Sequence, residues 1–439
     1  MAELTVRGRT EGNRVSSTER VMLVGVWTSG TAEDAAGDLA ELAALVEAAG
    51  AEVVHEVVQR RDKPDPATYI GSGKAAELTG LVADLEVDTI VCDGELSPAQ
   101  LVRLADLVDA KVIDRTALIL DIFAQRATSR EGRAQVALAQ MQYMMPRLRG
   151  LGRSLSRLSG GSGGGLATRG PGETKIETDR RRLRDNMESV RRELEQMENG
   201  RALRRKRRRG SNIPSVALAG YTNAGKSSLL NRLTGADVLV KDALFATLDP
   251  TVRRVRAGGR VCTLTDTVGF VSRLPHHLVD AFRSTLEEVT EADLVLHVVD
   301  SSHPDPLRQI ETVRAVIGDI GGAGVPEILV ANKADAAPEG ALERLLAAEP
   351  AAEVVSARTG AGVDRLLDRV AERLSGTGLQ MELLLPYTEG GLLTRIHDEG
   401  TVLREEHTGT GVRLTARVPE RLAAEVEPHR ERQDGPGGP

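Results

Sequence analysis

The order of apolar and polar positions predicts an α/β fold for the first part of the chain. Between Val21 and Ile113, short apolar runs alternate with stretches whose apolar residues recur every three or four positions. This alternation predicts strands joined by helices, and so a mostly parallel sheet. We expect strands at Val21–Trp27, Glu52–Val58, Val87–Cys92 and Ala110–Ile113, and helices at Ala32–Ala49, Lys74–Leu85 and Ser97–Val108.

The middle of the chain carries two apolar seams with the same spacing. Steps of four, three, four and three residues separate the members of each seam, which are Ala134, Leu138, Met141, Met145 and Leu148, then Leu183, Met187, Val190, Leu194 and Met197. Two seams of equal length separated by a loop predict a long antiparallel helical hairpin. We expect Pro146 to end or kink the first helix, because proline lacks an N–H and crowds the preceding turn.

The rest of the chain predicts a second α/β domain and a small α+β domain. Strands are expected at Val216–Ala219, Val261–Thr265, Glu353–Val355, Met381–Leu385, Thr401–Leu403 and Val412–Thr415, with a helix at Gly391–His397. The predicted organisation is a loose tail at 1–20, an α/β domain at 21–128, the helical hairpin with its loop and linker at 129–210, the second α/β domain at 211–375, the α+β domain at 376–428 and a disordered tail at 429–439.

A phosphate-binding pattern follows the apolar run Val216–Ala219. Gly220–Ser227 fits Gly-x-x-x-x-Gly-Lys-Ser, and the helical residues Ser228–Leu233 come next. Glycines at these places let backbone N–H groups turn toward phosphates, and the following helix directs its positive end at the same charge. We expect Lys226 to reach the β- and γ-phosphates and Ser227 to hold Mg²⁺.

Further motifs follow in the order found in guanine-nucleotide-binding proteins. An Asn-Lys-Ala-Asp motif ends at Asp335, whose carboxylate accepts from two donors on guanine, whereas adenine presents the reverse pattern. Thr247 is the expected second Mg²⁺ ligand, Asp266 the holder of a metal-bound water, and the Gly269 N–H a γ-phosphate contact. Backbone N–H groups of Ser356–Arg358 are placed to meet guanine O6. The sequence therefore predicts a Ras-like P-loop GTPase domain.

These motifs define the predicted site residues. We expect catalytic contributions from Lys226, Thr247 and Gly269, and metal ligation by Ser227 and Thr247. The predicted nucleotide contacts are Gly220, Tyr221, Thr222, Asn223, Ala224, Gly225, Lys226, Ser227, Phe245, Ala246, Thr247, Leu248, Asp249, Asp266, Thr267, Val268, Gly269, Asn332, Lys333, Ala334, Asp335, Ser356, Ala357 and Arg358. Gly71–Lys74 lacks the spacing and the hydroxyl of a phosphate loop, so a helix start is favoured there over a second nucleotide site.

Two residues of this domain bear on its hydrolytic rate. Phe270 stands where many signalling GTPases carry the Gln that orients the attacking water. A phenyl ring cannot hydrogen-bond water, so we expect slow turnover by the protein alone and strong acceleration by a partner. Asn223 occupies a position at which similar loops belong to potassium-activated GTPases, which leaves a K⁺ dependence open beside the need for Mg²⁺.

Composition favours a soluble, cytoplasmic protein, and we expect a monomer. A length of 439 residues with 41% hydrophobic residues is enough for about three domains with ordinary cores. The two cysteines, Cys92 and Cys262, fall in predicted strands and indicate buried thiols in a reducing compartment. The first twenty residues lack the apolar core of a signal peptide, and no apolar stretch is long enough to span a bilayer.

Charge is distributed unevenly, and this points to a polyanionic partner. The net charge is −7, but 146–209 holds 19 Lys and Arg against 8 Asp and Glu, which leaves −18 for the remainder. A glycine-rich loop lies between the predicted helices and no aromatic residue interrupts the segment, so recognition would rest on RNA shape and phosphate. The alternatives are a flexible linker and a solvated helix face. The predicted RNA contacts are Arg153, Arg157, Gly160, Gly161, Gly163, Gly164, Gly165, Arg169, Arg180, Arg181 and Arg182.

The combination of these motifs resembles the HflX family of bacterial GTPases over nearly the whole chain. The residues that carry the resemblance are Gly94–Gln100, Gln140–Tyr143, Thr168–Thr174, Asp179–Arg182, Gly220–Ser227 and Phe245–Thr251. The resemblance implies a Mg²⁺-dependent GTPase that binds the large ribosomal subunit in its GTP form. It also implies a role in splitting or rescuing stalled ribosomes under stress, with the helical arm reaching ribosomal RNA near the peptidyl-transferase centre. A ribosome assembly factor and a signalling GTPase with protein effectors are the alternatives.

Overall fold

The structure is a computed structural model, and its residues fall into two compact units. It describes residues 18–158, 171–210, 213–235, 244–245, 247–258, 260–273, 278, 282–375, 379–418 and 420–431. The first unit comprises Met1–Met197 with Ala243–Phe245 and Leu274–Phe282, and the second comprises Glu198–Asp242, Ala246–Arg273 and Arg283–Pro439.

The N-terminal part of the first unit is a parallel four-stranded sheet with the strand order β2-β1-β3-β4. This confirms the predicted α/β architecture. Its elements are β1 (Arg20–Trp27), α1 (Ala32–Ala48), β2 (Glu52–Arg60), α2 (Ser72–Asp84), β3 (Thr89–Cys92), α3 (Pro98–Val108), β4 (Lys111–Asp114) and α4 (Arg115–Arg126).

Local chemistry sets where the helices of this sheet begin. Ser97 and Gln100 form a capping box, in which each side chain accepts from the other residue's backbone N–H, and Pro98 occupies the first helical position of α3. Helix α2 begins at Ser72 with Gly71 as its N-cap, so the Gly71–Lys74 sequence is a helix start. Apolar residues of α2, α3 and the strands form the core, which includes the buried, free Cys92.

Two long helices complete the first unit. They are α5 (Arg130–Leu158) and α6 (Pro171–Gly210), whose last residues belong to the second unit. An ion pair of 2.6 Å joins Arg130 Nε, at the start of α5, to Glu193 Oε1, far along α6, so the helices run antiparallel. Ala134, Leu138 and Met187 of the predicted seams are buried. The predicted helical hairpin is confirmed.

Helix α5 continues through Pro146, so of the two expected effects, an end or a kink, the end is wrong. The adjacent Arg147 provides the physical reason. Its guanidinium is buried and donates to Tyr143 O, to Leu96 O and to Asp114 Oδ2, each over 2.9 Å. These bonds hold the turn around the proline and offset the backbone hydrogen bond that the proline cannot make.

The second unit contains a six-stranded sheet with the order β10-β9-β8-β5-β7-β6, parallel except for β6. Strand alternation places apolar residues on both faces, and helices cover them. The elements are β5 (Ser215–Gly220), α7 (Lys226–Thr234), β6 (Thr251–Ala257), β7 (Arg260–Asp266), α8 (Arg283–Thr290), β8 (Leu294–Asp300), α9 (Pro306–Asp319), β9 (Glu327–Asn332), α10 (Ala341–Ala348), β10 (Glu353–Val354) and α11 (Val363–Ser375).

A small α+β domain ends the second unit, as predicted. Its antiparallel sheet has the order β11-β13-β12, and its apolar face packs against α12 and α13. The elements are β11 (Leu379–Pro386), α12 (Gly390–Glu399), β12 (Thr401–His407), β13 (Gly411–Val418) and α13 (Glu420–Val426). Within the described part of the chain, no helix combines the length and the apolarity that crossing a bilayer requires.

Candidate functional site

The loop between β5 and α7 has a backbone that only glycine allows at two positions. Gly220 has φ +151°, and a Cβ there would lie 2.2 Å from Val298 O. Gly225 has φ +90°, and a Cβ there would lie 2.3 Å from Asn332 Nδ2. Neighbouring backbone and side-chain atoms therefore fix the path of the loop, which delivers the chain to the start of α7 at Lys226.

Lys226 points back across this loop. Its Nζ donates to Gly220 O over 3.0 Å and to Tyr221 O over 2.8 Å, and its side chain is buried. Burial lowers the pKa of Lys226 to about 8, although the nearby Asp266 carboxylate acts in the opposite direction. The Lys226 ammonium is therefore held at the loop, where it can bind the phosphates of a nucleotide.

Three oxygen-bearing side chains from distant segments meet beside Lys226. Ser227 Oγ lies 2.6 Å and Thr247 Oγ1 lies 2.8 Å from Asp266 Oδ2, and the two hydroxyl oxygens are 2.9 Å apart. Ser227 lies in the first turn of α7 and Asp266 ends β7. The structure thus brings together the two residues predicted as metal ligands and the predicted holder of a metal-bound water.

This cluster fits a Mg²⁺ ion. The second carboxylate oxygen, Asp266 Oδ1, is buried and has no hydrogen-bond partner among the described residues. Hydroxyl and carboxylate oxygens are the hard ligands that Mg²⁺ prefers, with water and phosphate oxygens completing its coordination. The described residues contain no group of three or more His, Cys, Asp or Glu side chains that could hold a metal by themselves.

The segment after β7 is hydrogen-bonded to the phosphate loop. Thr222 N donates to Phe270 O over 2.7 Å, and Phe270 N donates to Gly220 O over 3.1 Å. A Cβ on Gly269 would lie 2.8 Å from Thr222 Cγ2 and 3.1 Å from Lys226 Nζ, so the segment passes directly over the loop. The Phe270 ring is buried and carries no group that could orient water.

The predicted base-recognition residues form a second connected group. Asn332 is buried, donates from Nδ2 to Ala224 O over 2.8 Å, and accepts at Oδ1 from Ala357 N over 3.0 Å. Asp335 accepts from Ser356 Oγ and pairs with Arg358 Nη2, each over 2.5 Å. The hydrogen bond from Ser356 lowers the pKa of Asp335, which keeps an acceptor ready for guanine.

Two contacts of the site were not predicted from the sequence. Arg232, in the last turn of α7, donates to Ala357 O over 3.0 Å and to Arg358 O, so it holds the loop after β10. Lys333 pairs with Asp300 Oδ2 over 2.8 Å. A basic residue near a helix end was the available signal for Arg232, but its partners lie more than a hundred residues away.

Several predicted nucleotide contacts have structural partners of their own. Thr267 Oγ1 donates to Leu218 O over 2.7 Å, and the Val268 and Leu248 side chains are buried. The Phe245 ring lies in the first unit, in edge contact with Phe123. Any nucleotide contact from these residues therefore comes from backbone atoms. Ala246 lies outside the described residues.

Few of the predicted RNA contacts can be placed. Arg153 and Arg157 lie on α5, while Gly160, Gly161, Gly163, Gly164, Gly165 and Arg169 lie outside the described residues. Arg181 and Arg182 are exposed on α6, whereas the Arg180 side chain is only 16% exposed and pairs with Glu177.

Three features define a P-loop GTPase. They are the strand–glycine loop–helix unit, the cluster of Ser227, Thr247 and Asp266, and the base-recognition group. Models of four GTPase family regions match the chain: the GTP-binding GTPase N-terminal region at residues 36–124, the GTP-binding GTPase middle region at 126–208, a 50S ribosome-binding GTPase at 215–333 and the HflX C-terminal domain at 341–436. The chain belongs to the HflX family of GTPases, and it is a GTP hydrolase.

Curated relatives agree with this assignment. The chain is 46% identical to the GTPase HflX of Lacrimispora saccharolytica over 93% of its length and 95% of the relative's. It is 41% identical to the GTPase HflX of Escherichia coli K12, again over 93% of the chain and 95% of the relative. A GTP-binding protein from Sulfolobus solfataricus in complex with GDP is 23% identical with a TM-score of 0.42, covering 82% of this chain and 99% of that one.

Proposed function

We propose that this GTPase binds the large ribosomal subunit in its GTP form, dissociates or rescues stalled ribosomes in the cytoplasm, and leaves after hydrolysis. The observation that carries the proposal is the convergence of Thr247 and Gly269 on the phosphate end of one site. Thr247 Oγ1 contacts Asp266 and Ser227 in the site, but a γ-phosphate would be available to Thr247 and to the Gly269 N–H only with GTP bound, so the nucleotide would set two states of the protein.

The residues of the site divide the work of hydrolysis. Lys226 and the backbone N–H groups of the phosphate loop neutralise and orient the β- and γ-phosphates. Ser227 and Thr247 would hold Mg²⁺ directly, with Asp266 binding through a water. When bound, Mg²⁺ supplies positive charge to the phosphate oxygens. Asp335 would bind the guanine directly. Asn332 would act indirectly, because it donates to Ala224 O of the phosphate loop.

A group other than the Phe270 side chain must orient the attacking water. The ring is buried and apolar, so the water would be held by backbone, by another residue, by a cation or by a partner such as the ribosome. Asn223 supports a K⁺ contribution, because it is exposed in the phosphate loop with a left-handed backbone (φ +59°). A comparison of turnover in KCl and NaCl tests this contribution; equal rates would remove K⁺ from the proposal.

The helical arm formed by α5 and α6 provides the RNA-binding element of the proposal. Its segment 146–209 has a charge balance of +11 in a chain of net charge −7. One of the counted arginines, Arg147, is buried and paired with Asp114, so its charge serves the fold. The remaining basic residues, which include the exposed Arg181 and Arg182, favour binding to RNA phosphates. The affinity of such contacts falls as the salt concentration rises.

Sedimentation with isolated large ribosomal subunits tests the proposal. The protein should pellet with subunits in a non-hydrolysable GTP analogue and stay in solution with GDP. Equal pelleting in both nucleotides would instead favour an RNA-binding assembly factor for which GTP is a structural ligand. Failure to pellet in either nucleotide, together with salt-insensitive binding to RNA-free proteins, would favour a signalling GTPase.

Replacing the glycines of 160–165 with bulky residues tests the arm itself. We expect weaker pelleting with subunits and unchanged nucleotide binding, because bulky side chains prevent a close backbone approach to RNA. Gly391→Gln is the matched control, since its Cβ would meet no neighbouring atom. Unchanged pelleting of the loop variant would remove the arm tip from the RNA interface.

A further inference from the structure

An arginine at the end of helix α7 is hydrogen-bonded to the loop that follows β10. Arg232 lies in the last turn of α7, and its Nε donates to Ala357 O over 3.0 Å. Its Nη2 donates to the next carbonyl along the chain, Arg358 O. A planar guanidinium presents several N–H groups in a fixed fork, so one arginine can hold two successive carbonyls. The loop is thereby tied to α7, the helix that begins at Lys226.

Of the three loop N–H groups predicted to meet guanine O6, the structure leaves one unpaired. Ser356 N donates to Ala361 O over 2.9 Å. Ala357 N donates to Asn332 Oδ1 over 3.0 Å. The Arg358 N–H has no hydrogen-bond partner within the part of the chain that the structure describes. Because a backbone N–H is a strong donor, this group is the one that remains to bind an acceptor on a ligand.

Arg232 acts on the peptide unit to which this N–H belongs. The Ala357 carbonyl and the Arg358 N–H are the two ends of one planar peptide, so a bond that fixes the carbonyl also fixes the direction of the N–H. A charged donor on the carbonyl polarises the peptide as well, which strengthens its N–H as a donor. The guanidinium also lies against the next turn of the loop, since a Cβ on Gly360 would lie 3.6 Å from Arg232 Cζ.

We propose that Arg232 is a positioning residue for guanine recognition. It holds the Ala357–Arg358 peptide so that the Arg358 N–H donates to guanine O6, while Asp335 accepts from the ring N–H and the 2-amino group. Arg232 itself does not touch the base. The inference rests on the proposed binding of guanine by Asp335, and it holds whatever the helical arm binds.

Competition binding of GDP, 6-thio-GDP and IDP to the full-length protein with Mg²⁺ tests this inference. Sulfur replaces O6 in 6-thio-GDP and is a weak acceptor, whereas IDP keeps O6 and lacks the 2-amino group that Asp335 would bind. The native protein should prefer GDP over 6-thio-GDP by about tenfold, as for one lost hydrogen bond. In Arg232→Met this preference should fall below about twofold, while the preference for GDP over IDP changes by less than about twofold.

The two preferences separate positioning of the loop from a general structural role. Each preference compares two ligands on the same sample, so a partial loss of folded protein cancels. Equal weakening of all three nucleotides in Arg232→Met, with both preferences unchanged, would overturn the proposal. A native protein that binds GDP and 6-thio-GDP equally would remove the O6 contact, and with it the inference. Equal binding of GDP and IDP by the native protein would instead reject the Asp335 contact on which the inference rests.

Two further substitutions provide a rescue and a control. Arg232→Lys keeps a charged donor for one of the two carbonyls, so it should restore part of the preference for GDP over 6-thio-GDP. Arg373→Met is the matched control, because Arg373 is an exposed arginine in the last turn of α11 and its loss changes the net charge equally. It should leave all three affinities unchanged. The same loss of preference in Arg373→Met would assign the effect to net charge and overturn the proposal.

Discussion

Lys226 illustrates how one side chain links the conformation of the phosphate loop to its charge. Its Nζ is held by two carbonyls of the loop, Gly220 O and Tyr221 O, and is buried by the segment that follows β7. Carbonyls are weak partners for a buried cation, so the ammonium gains most when phosphate oxygens approach. Removing the Lys226 side chain, or deprotonating it, should therefore lower the affinity for nucleotide.

Lys226→Ala should greatly weaken nucleotide binding. Loss of a charge-assisted contact to two phosphates corresponds to roughly a hundredfold weaker affinity for GTP, or about 2.7 kcal/mol. A titration with a fluorescent GTP analogue measures the change. Lys74→Ala is the matched control, because Lys74 lies in the incomplete Gly-Ser-Gly-Lys sequence and pairs with Glu77. A similar loss in both variants would show that Gly71–Lys74 also takes part.

Nucleotide binding should take up a proton near pH 8. Burial lowers the pKa of Lys226 to about 8 in the free protein, and nearby phosphates would raise it again. Below pH 8 the lysine is charged before binding, whereas above pH 8 a proton must be gained, so affinity falls as pH rises through 8. Calorimetry in buffers of different ionisation enthalpy measures this uptake. Proton uptake that persists in Lys226→Ala would assign it to another group.

The sequence predicted which motifs form the site, but it did not predict which distant residues each of the motif side chains contacts. Ser227 and Asp266 were found because their motifs place each at the end of a predictable strand or the start of a helix. Phe245 was assigned a nucleotide contact from its position in the chain, whereas its ring packs on Phe123. No pattern within the chain links two residues so far apart.

At the scale of elements, periodicity predicted most strands and about half of the helices, but not β6, β8, β9, α4, α8, α9, α10, α11 or α13. One wrong expectation is instructive, because α5 passes through Pro146. Local propensity favours an end there, but the neighbouring Arg147 binds Asp114 and Leu96 O from other elements. Tertiary hydrogen bonds to a charged group thus outweigh a local preference of about 3 kcal/mol.

Arg147→Met should strongly destabilise the first unit. It would leave the fully buried Asp114 carboxylate without its counter-charge, which costs about 3–5 kcal/mol of unfolding free energy. Denaturant unfolding followed by circular dichroism measures the change. Arg130→Met, on the same helix, is the control, because the Arg130 side chain is 79% exposed and its ion pair contributes at most about 1 kcal/mol. Equal effects of the two variants would show that the buried pair is not what holds α5.

At the scale of the whole molecule, the catalytic site and the basic arm lie on different parts of one chain. The nucleotide site belongs to the second unit, and α5 belongs to the first. Segments of the region between β5 and α8 contribute to both units, so the chain itself provides a covalent route between them.

Isolated large subunits should accelerate GTP turnover strongly. The protein alone should turn over slowly, on the order of 10⁻⁴ per second, since the buried Phe270 cannot orient water. Phosphate release measured with and without subunits checks the expectation. Thr247→Ala should lower the stimulated rate in the same assay. Rapid multiple turnover by the purified protein alone would contradict the expectation that hydrolysis is slow without a partner.

The sequence by itself determined the α/β class, most of the strands, the phosphate-loop motif and the family, because each depends on neighbouring residues or on fixed spacings. Only the tertiary structure decided that Arg147 belongs to the core, that Arg232 holds the loop at Ala357, and that Phe245 packs on Phe123. These contacts join residues whose separation along the chain carries no periodic signal. Their free energy comes from burial and charge pairing, which exist only once the chain has folded.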